Sequence, residues 1–188
     1  MTKFILHGGS TRTSSIHNTN FFKEMIKDLS EPVKILNVYF AASKGKWEGS
    51  FEDDKKKFSS FNPDTEMEFT LASDDIDTLI NQIKSADTIY IRGGRELLVY
   101  EAFKKIENLA KLFEGKIIGG SSAGAYVLSK YFYSNSRDSI QEGTGVLPIK
   151  CFTHYSDEKA DKLKMLKEYG EDLKIYTIPE TEFIVIEK

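Results

Sequence analysis

The chain has 188 residues, 40% of them hydrophobic and 29% charged, with a net charge of −3. That length suits one domain, residues 1–188, that buries its own core without metal or disulfide support, and the near-balanced charge excludes the basic footprint of a nucleic-acid binder. A single cysteine, Cys151, rules out an intrachain disulfide, and no apolar stretch approaches a signal h-region or a membrane span, so the expected setting is cytoplasmic.

Lys3 to His7 reads as a short strand that breaks at Gly8-Gly9-Ser10. From His17 to Leu29, Phe21, Phe22, Met25, Ile26 and Leu29 recur at helical spacing. Val33 to Phe40 predicts a second strand. The stretch Ala41 to Pro63 is the least periodic, and its mixed run Phe51-Glu52-Asp53-Asp54-Lys55-Lys56-Lys57 suits a helix with a solvated face. Met67 to Thr70 is a short third strand. Ser73-Asp74-Asp75 marks a helix start, with a capping hydroxyl and acids at the positive end of the dipole. Ile76, Leu79, Ile80 and Ile83 form its buried face. Thr88 to Ile91 predicts a strand ending at Arg92-Gly93-Gly94-Arg95, and apolar residues from Leu97 to Phe113 predict one long helix stopped by Gly115.

Lys116-Ile117-Ile118-Gly119 then leads into Gly120-Ser121-Ser122-Ala123-Gly124 and the helix-compatible Ala125-Tyr126-Val127-Leu128. Strand and helix thus alternate as in an α/β three-layer sandwich, a mostly parallel sheet with helices on both faces. Ligands bind such sheets at the carboxyl ends of the strands. The breaks at Gly8-Gly9, Gly93-Gly94 and Gly120 to Gly124 all fall there and are expected to converge. Beyond Leu128 come aromatic Tyr131-Phe132-Tyr133, a polar stretch to Ser139, a strand over Val146 to Phe152 ending at Thr153-His154-Tyr155, a helix carrying Leu163, Leu166 and Tyr169, and two closing strands, Lys174 to Ile178 and Glu182 to Ile186.

Glycine two residues to each side of Ser122, at a strand-to-helix junction, is the nucleophile-elbow pattern. The turn is so tight that Cβ atoms at the flanking positions would strike neighbouring backbone. A serine hydroxyl needs a base, usually histidine, and that histidine needs an acceptor to fix its tautomer. Of the three histidines, His7 ends the first strand, His17 lies at a polar helix start, and His154 follows an apolar strand beyond the elbow. Asp138, Glu142, Asp157 and Glu158 are candidates for the acid. The last two stand where helix caps stand, whereas Asp138 and Glu142 lie in the loop-like stretch between serine and histidine.

These motifs resemble, in order along nearly the whole chain, those of the peptidase E and cyanophycinase-like serine peptidases, a family whose fold is related to that of class I glutamine amidotransferases. Ile89-Tyr90-Ile91-Arg92-Gly93-Gly94 is similar to the family's strand and Gly-Gly turn, Gly120 to Ala125 to its G-x-S-A-G-A elbow, Gly145-Val146-Leu147-Pro148 to its G-L-x-L/P stretch, and His154-Tyr155 to its P-H-Y/F. The resemblance implies Ser122 as nucleophile, His154 as general base, and an acid between them, where Asp138 aligns best. It also implies an oxyanion hole from the N–H groups of Gly94 and Ala123. Two residues depart from the pattern: Arg95 replaces an asparagine after the Gly-Gly turn, and Thr153 a proline before the histidine.

The function implied is a serine peptidase of the dipeptidase E type that hydrolyses short peptides, including Asp-X dipeptides, through an acyl-enzyme. A substrate carboxylate would need a cation, with Gly93, Arg95 and Arg137 expected at the substrate and Arg92 a further candidate. No metal, cofactor, nucleic acid or membrane is called for, and a monomer or homodimer is expected. Two alternatives compete. One is a catalytically silent small-ligand-binding member of the same fold, for which Arg95 is the warning. The other is an α/β-hydrolase-type esterase, since His7-Gly8-Gly9 resembles the HGG oxyanion loop of lipases. A glutamine amidotransferase would need cysteine at the elbow, and Cys151 lies elsewhere.

Overall fold

The computed structural model describes residues 1–188. Four strands run parallel where apolar runs predict them: β1 (Lys3–His7), β2 (Val33–Val38), β4 (Thr88–Ile91) and β5 (Ile117–Ser121). With β3 (Met67–Leu71) and an antiparallel edge strand β10 (Phe183–Glu187) they build a six-stranded sheet in the order β10-β1-β5-β4-β2-β3. Alternation along each strand sends neighbouring residues to opposite faces. Ile5, Ile35, Tyr90 and Ile117 face a core filled by Phe21 and Phe22 of helix α1 (Ile16–Glu24) and Phe58 of α2 (Trp47–Phe61). Phe4, Leu6, Leu36, Val38, Ile89, Ile91 and Ile118 face the larger core. That core takes Leu79 and Ile83 from α3 (Ile76–Ser85), Val99 and Phe103 from α4 (Glu96–Phe103), Leu109 from α5 (Leu109–Leu112) and Tyr126 from α6 (Ala123–Leu128). The result is the helix–sheet–helix sandwich expected from the alternation.

Phe22 is fully buried, its ring 4.9 Å from Phe58 and 5.7 Å from Tyr90. Its replacement by alanine removes this whole contact set and is expected to cost about 3–5 kcal/mol, read as a shift in the urea midpoint at unchanged slope.

Several elements differ from the sequence pattern, each for a local reason. The long helix expected from Leu97 to Phe113 divides into α4 and α5, because Asn108 takes a left-handed conformation (φ 55°) while Ile106 and Leu109 both stay buried. Asp75 rather than Ser73 caps α3, its carboxylate accepting from the Thr78 N–H at 2.9 Å. Val146 to Ile149 is irregular, and the strand there begins only at Lys150.

The C-terminal third forms a second, four-stranded sheet. Its order is β7-β6-β8-β9, from β6 (Tyr131–Ser134), β7 (Ser139–Glu142), β8 (Lys150–Thr153) and β9 (Ile175–Ile178). Helix α7 (Ala160–Glu168) packs on it through Leu166, against Tyr131, Tyr133 and Phe152. β8 and β9 are parallel with Thr153 opposite Ile178, so the residues that follow each leave the sheet side by side. In the larger sheet, His7 pairs with Ser121 and Ile91 with Gly120, which brings the carboxyl ends of β1, β4 and β5 to one edge. No helix is long and apolar enough to cross a membrane.

Candidate active site

Ser122 sits between β5 and α6 with φ 51° and ψ −109°, a conformation that costs a non-glycine residue about 1–3 kcal/mol. The flanking glycines are steric necessities. A Cβ on Gly120 would lie 2.6 Å from the Gly124 carbonyl, and one on Gly124 would lie 2.1 Å from the Ile91 oxygen. The turn raises the Ser122 hydroxyl out of the sheet edge, where its Oγ lies 2.8 Å from His154 Nε2. His154 follows β8 directly, and its second ring nitrogen, Nδ1, lies 3.0 Å from Glu180 Oε1.

Glu180, in the Pro179-Glu180-Thr181 turn after β9, reaches His154 because β8 and β9 end in register. Hydrogen bonds from His154 and from the Ser10 hydroxyl hold its carboxyl below the usual carboxylate range, helped by the nearby Lys159 charge. The lysine ammonium itself donates to the His154 carbonyl.

Asp138, expected as the acid, does not meet His154. Asp138 occupies the β6–β7 hairpin, where its carboxylate accepts from the Tyr133 hydroxyl at 2.6 Å and pairs with Lys162 at 2.8 Å. Glu142 ends β7, opposite Tyr131. Neither touches His154. The hairpin is the reason, since it holds this stretch on the second sheet instead of folding it back over the elbow. Of the other histidines, His17 pairs with Glu182 at 3.3 Å, and His7 is buried and engaged with Asn18.

Facing Ser122, Gly93 packs so closely that a Cβ there would lie 2.9 Å from the Ser122 Cβ. The N–H groups of Gly94 and Ala123 donate to no other backbone group, as expected for the first residue of a helix and for a turn that faces a cleft. By contrast, the Gly8 N–H donates to the Glu182 carbonyl and the Gly9 N–H to His7 Nδ1. The His7-Gly8-Gly9 segment therefore has no amide left for a lipase-type oxyanion hole.

The three glycine breaks converge on a cleft of about 860 Å³ lined by Ser122, His154, Gly9 and Gly93-Gly94 together with Arg12, Lys46 and Arg92. Arg12 and Lys46 are exposed and form no ion pair. Arg92 is anchored from below: its Nη1 lies 3.1 Å from Asp54 Oδ2, a fully buried carboxylate that also accepts from the Tyr39 hydroxyl. No carboxylate lines this cleft.

Arg95 and Arg137, expected at the substrate, do not line this cleft, whereas Arg92 does. Arg95 precedes α4 with an exposed side chain outside the cleft, its N–H bonded to the Ala41 carbonyl, and Arg137 contacts Gln141 and Glu96 in a separate cavity beside Leu97 and Tyr100. Arg95 is the N-cap of α4, and Arg137, in the β6–β7 hairpin, is held by Glu96 of that helix. Arg12, in the polar loop between β1 and α1, carries no motif that would single it out.

The sequence pattern of peptidase family S51 matches residues 4–188. No curated protein matches the chain. Among solved structures, a peptidase from an acI-B1 Actinobacterium superposes with a TM-score of 0.68 at 21% identity, over 99% of this chain and 83% of that one. A Listeria monocytogenes EGD-e protein described as a peptidase E superposes with a TM-score of 0.67 at 19% identity, over 99% of this chain and 94% of that one. At these identities the likeness is one of fold.

Proposed function

Because the chain belongs to peptidase family S51, we propose that it hydrolyses short peptides with Ser122 as nucleophile, His154 as general base and Glu180 as the carboxylate that orients the histidine. The observation that carries this reading is the unbroken Ser122–His154–Glu180 chain, with contacts of 2.8 and 3.0 Å, on a strained turn. The Nδ1–H donates to Glu180, so Nε2 is left as acceptor for the Ser122 proton. Ser122 Oγ attacks the substrate carbonyl as its proton moves to Nε2. The oxyanion that forms is placed for the N–H groups of Gly94 and Ala123, and the imidazolium returns the proton to the leaving amine. Water then repeats the sequence on the acyl-enzyme and frees Ser122.

Arg12 and Lys46, which form no ion pair, and Arg92, which Asp54 anchors from below, favour a substrate bearing a carboxylate close to the cleaved bond. Arg12→Ala and Lys46→Ala are each expected to raise KM for Asp-X dipeptides about tenfold with kcat and melting temperature unchanged, one charge-assisted hydrogen bond being worth about 1.5–3 kcal/mol at most. Arg92→Ala carries a second cost. It leaves Asp54 buried without its closest cation, so about 3–5 kcal/mol of stability is lost as well.

The testing experiment is a screen of Asp-X, Glu-X and neutral dipeptides with wild type, Ser122→Ala and His154→Ala. Release of amino acid by wild type alone is the expected result. A silent binding protein would show a melting shift with acidic dipeptides and no product.

A further inference from the structure

The end of β1 and the turn after it bond to the backbone of Ser122, of His154 and of Thr181, the residue after Glu180. The His7 carbonyl accepts from the Ser122 N–H at 2.9 Å, the Gly8 carbonyl from the His154 N–H at 3.0 Å, and the Gly9 carbonyl from the Thr181 N–H, next to Glu180, at 3.1 Å. Three consecutive carbonyls therefore bind the backbone at Ser122, at His154 and immediately beside Glu180, segments that come from two different sheets. Gly9 also lies directly under the imidazole of His154, where a Cβ would stand 2.1 Å from Cε1.

A side chain bonds into this turn. Gly9, with φ 124°, donates its N–H to His7 Nδ1 at 3.0 Å, folding the turn back on the histidine that precedes it. His7 Nε2 lies 2.8 Å from Asn18 Oδ1, while Asn18 Nδ2 donates to the Ser10 and Thr13 carbonyls. With its amide nitrogen so engaged, Asn18 can offer His7 only an acceptor. His7 must then carry its proton on Nε2 and leave Nδ1 free to accept from Gly9. The ring is fully buried against Phe21, with ring centroids 4.6 Å apart. Burial lowers its pKa to about 4, which keeps the ring neutral near pH 7.

We propose that His7 is a positioning residue of the active site: by accepting from the Gly9 N–H it fixes the turn that sets His154 against Ser122 and Glu180. This rests on the triad reading above. His7 touches no reacting atom. Its contribution is the placement of groups that do, and a displacement of about 1 Å there costs on the order of 10²-fold in rate.

Two substitutions separate this from simple core filling. In His7→Asn the amide oxygen falls close to where Nδ1 stood and can accept from Gly9, although volume is lost. In His7→Gln more volume is kept and a donor reaches toward Asn18, but no acceptor lies at the Nδ1 position. The readout is the inactivation of Ser122 by a fluorophosphonate, followed alongside dipeptide turnover below each variant's melting temperature. His7→Gln is expected to lower the maximal inactivation rate and kcat about 10²-fold with unchanged half-saturation, whereas His7→Asn stays within a few-fold of wild type despite being the less stable. Gly9→Ala, which puts a methyl group where the imidazole lies, is expected to match the His7→Gln loss and serves if His7→Gln does not fold. Wild-type rates in His7→Gln or Gly9→Ala, or losses that follow melting temperature across the set, would overturn the proposal. Ser122→Ala run in parallel separates the two levels: if it still turns over substrate, the triad reading itself is wrong.

Discussion

Ser122→Ala is expected to lower kcat on the order of 10⁶-fold, with dipeptide binding preserved, because the proposed mechanism makes this residue the covalent centre and its partners cannot act without it. The remaining rate over water would come from the Gly94 and Ala123 amides and from substrate placement, worth about 10³–10⁴ in a comparable serine peptidase. Folding should not suffer, since alanine adds no atoms. Relief of the positive φ is not available either, as alanine at φ 51° is strained like serine. An intact, cooperatively melting Ser122→Ala protein that binds dipeptide and releases no amino acid is the expected outcome of calorimetry and product assay together.

Glu180→Gln is expected to lower kcat by about 10³-fold, and Asp138→Asn by less than twofold. The glutamine can turn its N–H₂ toward His154 Nδ1 and favour the tautomer that has no acceptor at Nε2 for the serine proton. In a buried triad, losing the carboxylate costs about 3 × 10⁴ in kcat. Glu180 is 60% exposed, so water can replace part of its role and the smaller figure is appropriate. Asp138 bonds to Tyr133 of β6 and Lys162 of α7 and makes no hydrogen bond to Ser122 or His154. Equal losses in the two variants, measured as kcat on the same dipeptide, would contradict the assignment of the acid.

The elements that position the site could be read from the sequence because each obeys a local rule. β1, β2, β4 and β5 are apolar runs between turn residues, and the elbow is a steric requirement that only glycine meets at Gly120 and Gly124. His154 was legible as well, since it follows the apolar strand β8 directly. Glu180 was not. It joins His154 only through the parallel pairing of β8 with β9, a long-range fact that leaves no trace in spacing, and it follows the histidine in sequence where the resemblance implied an acid before it. A carboxylate in a proline turn between two apolar strands was the one signal available. Arg12 was equally hidden, because a cation in a polar loop looks like any solvated residue until the loop is placed beside the elbow. The break at Asn108 and the edge strand β7 escaped for the opposite reason. Tertiary burial of Ile106 and Leu109 overrides helical periodicity, and a four-residue strand with Ile140 as its one large apolar side chain has too little pattern to detect. His7 stood out as an oxyanion-loop motif, and only its hydrogen bonds to Gly9 and Asn18 show that its ring is spent on holding the turn.

Fluorophosphonate labelling followed by peptide mapping tests the central claim most directly, because it asks which hydroxyl is activated without requiring the natural substrate. The expected result is a single adduct on Ser122, absent from Ser122→Ala and formed at least 10³-fold more slowly in His154→Ala, which lacks the proposed base. An adduct on any other residue, or labelling of Ser122→Ala at the wild-type rate, would contradict it.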